Sequence, residues 1–197
     1  MQQFKSKNYV TVLLVIANIA VYIFCTIQGN VLYNMDSLSV VDIINRQEYY
    51  RILTSMFLHA NPQHIWGNMI FLAALGDMLE RSIGHGRFFA IYMLAGIGGN
   101  LLSMGHELAT GQFYSTIGAS GAVFGLIGAL LLLICKNNGT YGQVSFRRMI
   151  FAIVYLFYSG IQSETTNNMA HLGGFITGFA VMAVFYCIAR RRYKRIR

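Results

Sequence analysis

The sequence predicts an all-α membrane protein that crosses the bilayer six times. Three observations support this fold class. Of the 197 residues, 55% are hydrophobic and 11% are charged, whereas a soluble domain carries about 25% charged residues. The apolar residues are gathered into six segments, separated by one long mixed connection and four short polar ones. The Lys and Arg residues lie almost entirely in alternate connections, which is the distribution expected of a polytopic membrane protein.

The first apolar segment covers residues 9–27 and is long enough to cross about 30 Å of hydrocarbon. A long connection over residues 29–63 follows, in which charged residues alternate with aliphatic and aromatic ones. It is too apolar for a solvated loop and too interrupted by charge to span the bilayer. We therefore expect this first loop to lie at the membrane surface.

The other five predicted spans complete the chain. They cover residues 64–79, 88–105, 120–135, 149–161 and 170–189. The fifth is rather short, and the sixth is followed by a basic tail. Because the loops are too short for a second domain and no internal repeat is evident, residues 1–197 are interpreted as one membrane domain.

The positive charges predict the orientation. With both termini in the cytoplasm, all of the 15 Lys and Arg residues except Arg46 and Arg51 fall on the cytoplasmic side, as the positive-inside rule requires. The net charge of +8 then indicates contact with the anionic headgroups of the lipid bilayer, and no nucleic acid is expected as a partner. The expected location is the cell (plasma) membrane.

Four polar side chains stand near the starts of the even-numbered spans. His64 and Asn68 are four residues apart and share one face of the second helix. Ser120 begins the fourth span, and His171 lies at the start of the sixth. All three helices run inward from the outer side, so these groups are expected at a similar depth. Polar groups within a membrane are costly and are candidates for function.

Glycines follow the serine and the second histidine at helical spacing. They are Gly121, Gly125 and Gly128 after Ser120, and Gly174 and Gly178 after His171. Small residues four positions apart allow membrane helices to approach closely. If the two glycine faces meet, Ser120 and His171 can come within hydrogen-bond reach, about 3 Å, as an activated serine nucleophile requires.

These motifs resemble those of the rhomboid family of intramembrane serine proteases. Gly118-Ala119-Ser120-Gly121 is similar to the family's serine signature, and Ala170-His171 with its following glycines resembles the family's histidine helix. His64 and Asn68 resemble the second-helix motif. Tyr50-Arg51 in the first loop is similar to a Trp-Arg pair of the family, with tyrosine in place of tryptophan.

The resemblance implies a role for each residue. Ser120 would attack the scissile carbonyl, and His171 would act as general base and then as general acid. His64 and Asn68, with the Ser120 backbone N–H, would form the oxyanion hole. The substrates would be transmembrane proteins, and the site would open to the extracytoplasmic side. No third acidic residue, metal or cofactor is expected.

Further residues are expected to support this site. Phe124 stands where many rhomboids have a tyrosine packed beside the histidine, so the ring is kept and the hydroxyl is lost. Gly118 belongs to the serine signature, and His59 is close enough along the chain to support the site. The resemblance also implies a lateral gate at the fifth helix and a lid over residues 162–169.

Two other functions stay open on the sequence. A transporter or channel also has polar residues and glycines within the membrane, but it would predict inverted repeats or broken helices and polar groups that continue across the bilayer. A non-catalytic rhomboid-like binder of membrane proteins would be expected to lack the serine or the histidine, and both are present. The protease is the favoured interpretation.

Overall fold

The structure is a computed structural model that describes residues 7–29, 35–163 and 166–195, with side chains up to residue 191. The described chain is mostly helical, as predicted. Its helices are α1 (Tyr9–Gln28), α2 (Val40–Arg46), α3 (Arg51–Thr54), α4 (Pro62–Ile83), α5 (His85–Thr110), α6 (Ser120–Lys136), α7 (Phe146–Ile161) and α8 (Asn168–Arg195). A 3-10 turn covers Ser55–Phe57, and β1 (Thr140–Tyr141) pairs antiparallel with β2 (Val144–Ser145).

Three helices are long and apolar enough to cross a membrane, judged by length and composition over the described ranges. They are α1, α5 and the Asn168–Arg191 part of α8. Helix α6 is apolar but shorter. The count of six spans and the cytoplasmic position of both termini stay predictions.

Several helices extend beyond the apolar segments that the sequence indicated, because capping residues rather than hydropathy set their ends. Helix α4 begins at Pro62 instead of residue 64, where the Asn61 side chain accepts a hydrogen bond from the His64 N–H at 2.8 Å. Its end at Ile83 and the start of α5 at His85 are separated only by Gly84, whose φ of 86° favours glycine. Helix α7 begins at residue 146 instead of 149.

Helix α6 forms the centre of the bundle. Nearly all of its residues from Gly121 to Ile134 are buried, so it is covered on every side. Helices α5 and α8 make the most extensive contacts with it, and α4 packs against another side. Helix α1 packs mainly on α4, and α7 touches α6 and α8 only lightly. The helix that begins at Ser120 is therefore held firmly by its neighbours.

A buried carboxylate joins α1 to α4 at the end of the bundle away from Ser120. Glu80 accepts hydrogen bonds from the backbone N–H groups of Val10 and Thr11 at 2.8 and 2.7 Å, and from the Thr11 hydroxyl at 2.6 Å. His85 pairs with the same carboxylate. The first N–H groups of a helix lack intrahelical acceptors, so Glu80 satisfies two of them and stabilises the start of α1.

The first loop is tied to the bundle by hydrogen bonds. Arg51 is buried, and its guanidinium donates to Glu48 at 2.6 Å and to the Ser37 carbonyl at 3.0 Å. Asn100 of α5 donates to the Ile52 carbonyl at 2.8 Å. The Arg51 contacts fix the fold of the loop itself, and the Asn100 contact holds the loop against the bundle. The position of the loop at the membrane surface stays a prediction.

Candidate active site

Ser120 and His171 lie side by side at the starts of α6 and α8. Ser120 is the first residue of α6, and its Oγ is 2.9 Å from His171 Nε2. When the neutral imidazole carries its proton on Nδ1, Nε2 accepts a hydrogen bond from the serine hydroxyl. His171 is buried, and its Nδ1 has no hydrogen-bond partner in the part of the chain that the structure describes.

Glycines allow the backbones of α6 and α8 to touch directly behind this pair. A methyl group added to Gly174 would overlap the backbone of Gly121, and one added to Gly178 would overlap the backbone of Gly125. Helix α5 approaches in the same way, since a Cβ on Gly99 would lie 2.6 Å from the Ala170 carbonyl oxygen. Ordinary side chains would keep helix axes about 8–10 Å apart, so these glycines permit the short Oγ–Nε2 distance.

The imidazole of His171 is held by an aromatic cluster. The Phe124 ring stacks on it with centroids 4.1 Å apart and planes 11° apart. Phe157 of α7 then meets the Phe124 ring edge-on at 5.1 Å. Phe157 was not singled out from the sequence, because it is one of many apolar residues in its helix. The ring at position 124 does not need a hydroxyl to pack in this way.

Gly118 brings the backbone before Ser120 against His64 and Asn68. Its φ is 123°, which L side chains rarely adopt, and a Cβ there would lie 2.7 Å from His64 Nε2. The same point is 3.8 Å from Asn68 Nδ2. Both side chains of α4 therefore face the loop that leads into α6. The buried Asn68 Nδ2 has no acceptor among the residues described, so it is a donor available to a ligand.

His59 supports the His64 ring from the first loop. Its side chain is fully buried, and the two imidazoles meet edge to face with centroids 5.0 Å apart. Burial, and secondarily the nearby His64, lower the pKa of His59 to about 4. His59 is therefore neutral at neutral pH and adds no positive charge.

The structure thus brings Ser120, His171, His64 and Asn68 to one end of α4, α6 and α8, while their roles in catalysis stay predictions. Of the lid segment, residues 164–165 lie outside the described part of the chain. Asn167 was expected only as part of the lid, although an asparagine just before an apolar run is also a helix-start signal.

The fold and the site define the general class of the protein, a helical bundle in which a buried histidine is hydrogen-bonded to a serine at the start of a helix. Comparison with known proteins identifies the family. Residues 46–188 match the Rhomboid domain family model, so the chain belongs to the rhomboid family. Together with its apolar helices, this makes it an integral membrane protein, and the resemblance drawn from the motifs is confirmed.

Individual relatives agree with this membership. The chain is 36% identical over 156 residues to RHOMBOID-like protein 1 of Arabidopsis thaliana, covering 78% of this chain and 39% of that protein. It is 34% identical over 141 residues to the rhomboid protease GluP of Bacillus subtilis (strain 168), covering 72% of this chain and 27% of that protein. It is 32% identical over 148 residues to the putative rhomboid protease YdcA of the same bacterium, covering 74% of this chain and 72% of that protein. The first two alignments thus span less than half of each relative's length.

Proposed function

We propose that this chain is an intramembrane serine endopeptidase that cleaves membrane proteins in or near their transmembrane segments. The observation that carries the proposal is the 2.9 Å separation between Ser120 Oγ and His171 Nε2. This distance meets the geometric requirement for a general base acting on a nucleophile. Relatives named as rhomboid proteases support the same reaction class.

In the proposed reaction, Ser120 Oγ bonds to the scissile carbonyl carbon while its proton passes to His171 Nε2. The resulting imidazolium then protonates the leaving amine as the C–N bond breaks, which leaves an acyl ester on Ser120. Water hydrolyses this ester with His171 again as the base, and the serine hydroxyl is regenerated. In this scheme Ser120, His171, the peptide and water supply all the reacting atoms, so no cofactor or metal takes part.

The negative oxygen of the tetrahedral intermediate needs hydrogen-bond donors. Asn68 Nδ2 is buried without an acceptor in the described chain, and His64 lies against the loop before the nucleophile. The Ser120 N–H is at the first turn of α6, where backbone donors lack intrahelical acceptors and the helix dipole favours negative charge. We assign these three groups to the oxyanion hole.

The proposed topology has six spans, cytoplasmic N and C termini and a single domain over residues 1–197. The charge asymmetry supports it, and Ser120, His171 and His64 all lie at the N-terminal ends of their helices. The site would then open to the extracytoplasmic side of the cell membrane. Because α7 packs only lightly on the bundle, it is the proposed lateral gate for transmembrane substrates.

Fluorophosphonate labelling in proteoliposomes tests the nucleophile without a known substrate. We expect label on the wild type and none on Ser120→Ala or His171→Ala. Ser82→Ala is the matched control and should label normally, since among the described residues the Ser82 hydroxyl bonds only within α4, to the Met78 carbonyl. A transporter or a non-catalytic binder predicts no labelled protein at all, which would contradict the proposal.

Cleavage of a reconstituted transmembrane substrate then tests the assignments. Ser120→Ala should abolish cleavage, while Asn68→Ala should lower kcat by about 10²–10³, as loss of one oxyanion donor does elsewhere. Full proteolysis by Ser120→Ala would disprove the assignment of the nucleophile.

A further inference from the structure

A cluster of hydrogen-bonded side chains beside Ser120 and His171 is not used in the proposed reaction. Its members are Asn167, Thr116, Ser103 and Glu107. They come from three separate parts of the chain, namely the end of α5, the loop before α6 and the residue before α8. Asn167 occupies the middle of the cluster, because it contacts both Thr116 and Ser103.

On the histidine side, Asn167 caps α8. Its Oδ1 accepts a hydrogen bond from the Ala170 N–H at 3.0 Å, and its backbone carbonyl accepts one from the His171 N–H at 3.2 Å. A side-chain acceptor at this position fixes the first helical turn. The turn that is fixed here is the one that carries His171.

On the serine side, Asn167 Nδ2 donates to Thr116 Oγ1 at 2.7 Å. Thr116 is itself held by the first loop, since its backbone exchanges hydrogen bonds with Leu38 at 2.9 and 3.0 Å. Two residues later, the Gly118 N–H donates to the Ser55 carbonyl at 2.8 Å. The loop that leads into Ser120 is thus fixed on one side by the first loop and on the other by Asn167.

Helix α5 completes the cluster. Asn167 Nδ2 also donates to Ser103 Oγ at 2.6 Å, and the Ser103 hydroxyl donates to Glu107 at 3.1 Å. Ser103 and Glu107 are fully buried. Both hydrogens of the Asn167 amide group and its oxygen are therefore committed, which restrains the orientation of the side chain.

We propose that Asn167 is a positioning residue that, through Thr116, holds the Ser120 loop and the His171 helix in register. We refer to the Asn167–Thr116 contact as the clip. This inference rests on the proposed protease function. It also places a fixed point within the predicted lid segment, at Asn167.

An ordinary helix cap would give a different result from a clip. Thr116→Val removes only the hydroxyl that Asn167 contacts, and it leaves the α8 cap and the backbone bonds to Leu38 in place. If Asn167 were only a cap, this variant would behave like the wild type. If the clip sets the geometry of the reacting pair, kcat falls.

The experiment measures kcat and KM for cleavage of a reconstituted transmembrane substrate. Because a displacement of about 1 Å can cost about 10²-fold in rate, we expect Thr116→Val to lower kcat by about 10- to 100-fold, with KM within about twofold. Thr116→Ser, which keeps the hydroxyl, should restore most of kcat. Thr110→Val is the matched control, since in the described chain the exposed Thr110 hydroxyl bonds only within α5 and to the Gln112 N–H just after it.

Asn167→Ser provides a second variant in case Thr116→Val does not fold. Serine keeps an oxygen that can cap α8, but its side chain is one bond shorter and has no amide N–H to donate to Thr116, so kcat should also fall while α8 remains formed. Wild-type kcat in either folded variant overturns the clip. Equal cleavage by wild type and Ser120→Ala instead overturns the proposed function, and an inactive wild type overturns both.

Discussion

Substitution of Gly174 by alanine tests whether backbone contact between α6 and α8 sets the geometry of the site. A Cβ on Gly174 would overlap the Gly121 carbonyl, and the clashing atoms are all backbone, so no flexible side chain can move aside. Ordinary contact between carbon atoms needs about 3.5–4.0 Å. We expect α6 and α8 to separate by about 1 Å at Gly121, the residue that directly follows Ser120.

That separation would lengthen the Oγ–Nε2 distance from 2.9 Å beyond the range of a hydrogen bond. A misplacement of about 1 Å can reduce the rate by about 10²-fold, and overpacking costs about 1–3 kcal/mol of stability. Gly174→Ala should therefore remain folded but lose about two orders of magnitude in kcat. The assays are cleavage in proteoliposomes and thermal unfolding in the same preparation.

Gly105→Ala is the matched control, because it lies within α5 with no atom within 4 Å of the added Cβ. Alanine there should leave cleavage unchanged and stabilise the helix by up to about 1 kcal/mol. Cleavage by Gly174→Ala within about threefold of the wild type would refute the claim that this backbone contact sets the serine–histidine distance.

Two further predictions concern the rings around the site. Phe124→Leu removes the ring stacked on His171 and should lower kcat about 2- to 10-fold, since such aromatic pairs contribute about 0.5–1.5 kcal/mol. Phe124→Tyr keeps the ring, and its kcat should stay within about threefold of the wild-type value. Equal rates for the two variants would contradict the stacking role. Folding lowers the pKa of His59 to about 4 from 6.5, so the unfolded chain binds a proton at this residue more readily than the folded chain does. The free energy of unfolding should therefore fall as the pH drops from about 6.5 to 4, by up to about 3 kcal/mol. Thermal unfolding of His59→Asn should depend less steeply on pH in that window, and parallel curves for variant and wild type would disprove this contribution.

The bundle and the meeting of α6 and α8 could be anticipated from the sequence, because both follow from local patterns. Long apolar segments require helices in a bilayer, and glycines at four-residue spacing indicate where such helices approach. The spacing led us to expect Ser120 beside His171, and the two side chains lie 2.9 Å apart. Their catalytic role stays a prediction.

Contacts between distant parts of the chain could not be anticipated in the same way. Glu80 directly follows the predicted span over residues 64–79, yet it is buried and caps α1, 69 residues away from Thr11 in sequence. The hairpin of β1 and β2 lies in what was expected to be a polar loop. Thr116 and Asn167 are ordinary loop residues by composition, and only the fold brings them together.

The polar groups inside this bundle fall into two kinds, and the difference bears on which of them do chemistry. The Glu80 carboxylate receives three hydrogen bonds from α1, and Asn100 Nδ2 donates to both the Ile52 carbonyl and Ser55 Oγ. Such groups are saturated by the fold itself, which is the normal state of buried polar atoms, and they stabilise it.

The groups beside Ser120 differ, because Asn68 Nδ2 and His171 Nδ1 are buried without a partner in the described part of the chain. Leaving a buried donor unsatisfied costs about 1–3 kcal/mol, a cost that packing alone does not explain. A reacting carbonyl that becomes an oxyanion would supply the acceptor that Asn68 lacks. Asn18 Oδ1 and His106 Nδ1 are also buried without a partner in the described chain, so residual hydrogen-bonding capacity alone does not mark a site. What distinguishes the proposed site is that its unsatisfied donor lies beside a serine and a histidine that are hydrogen-bonded to each other.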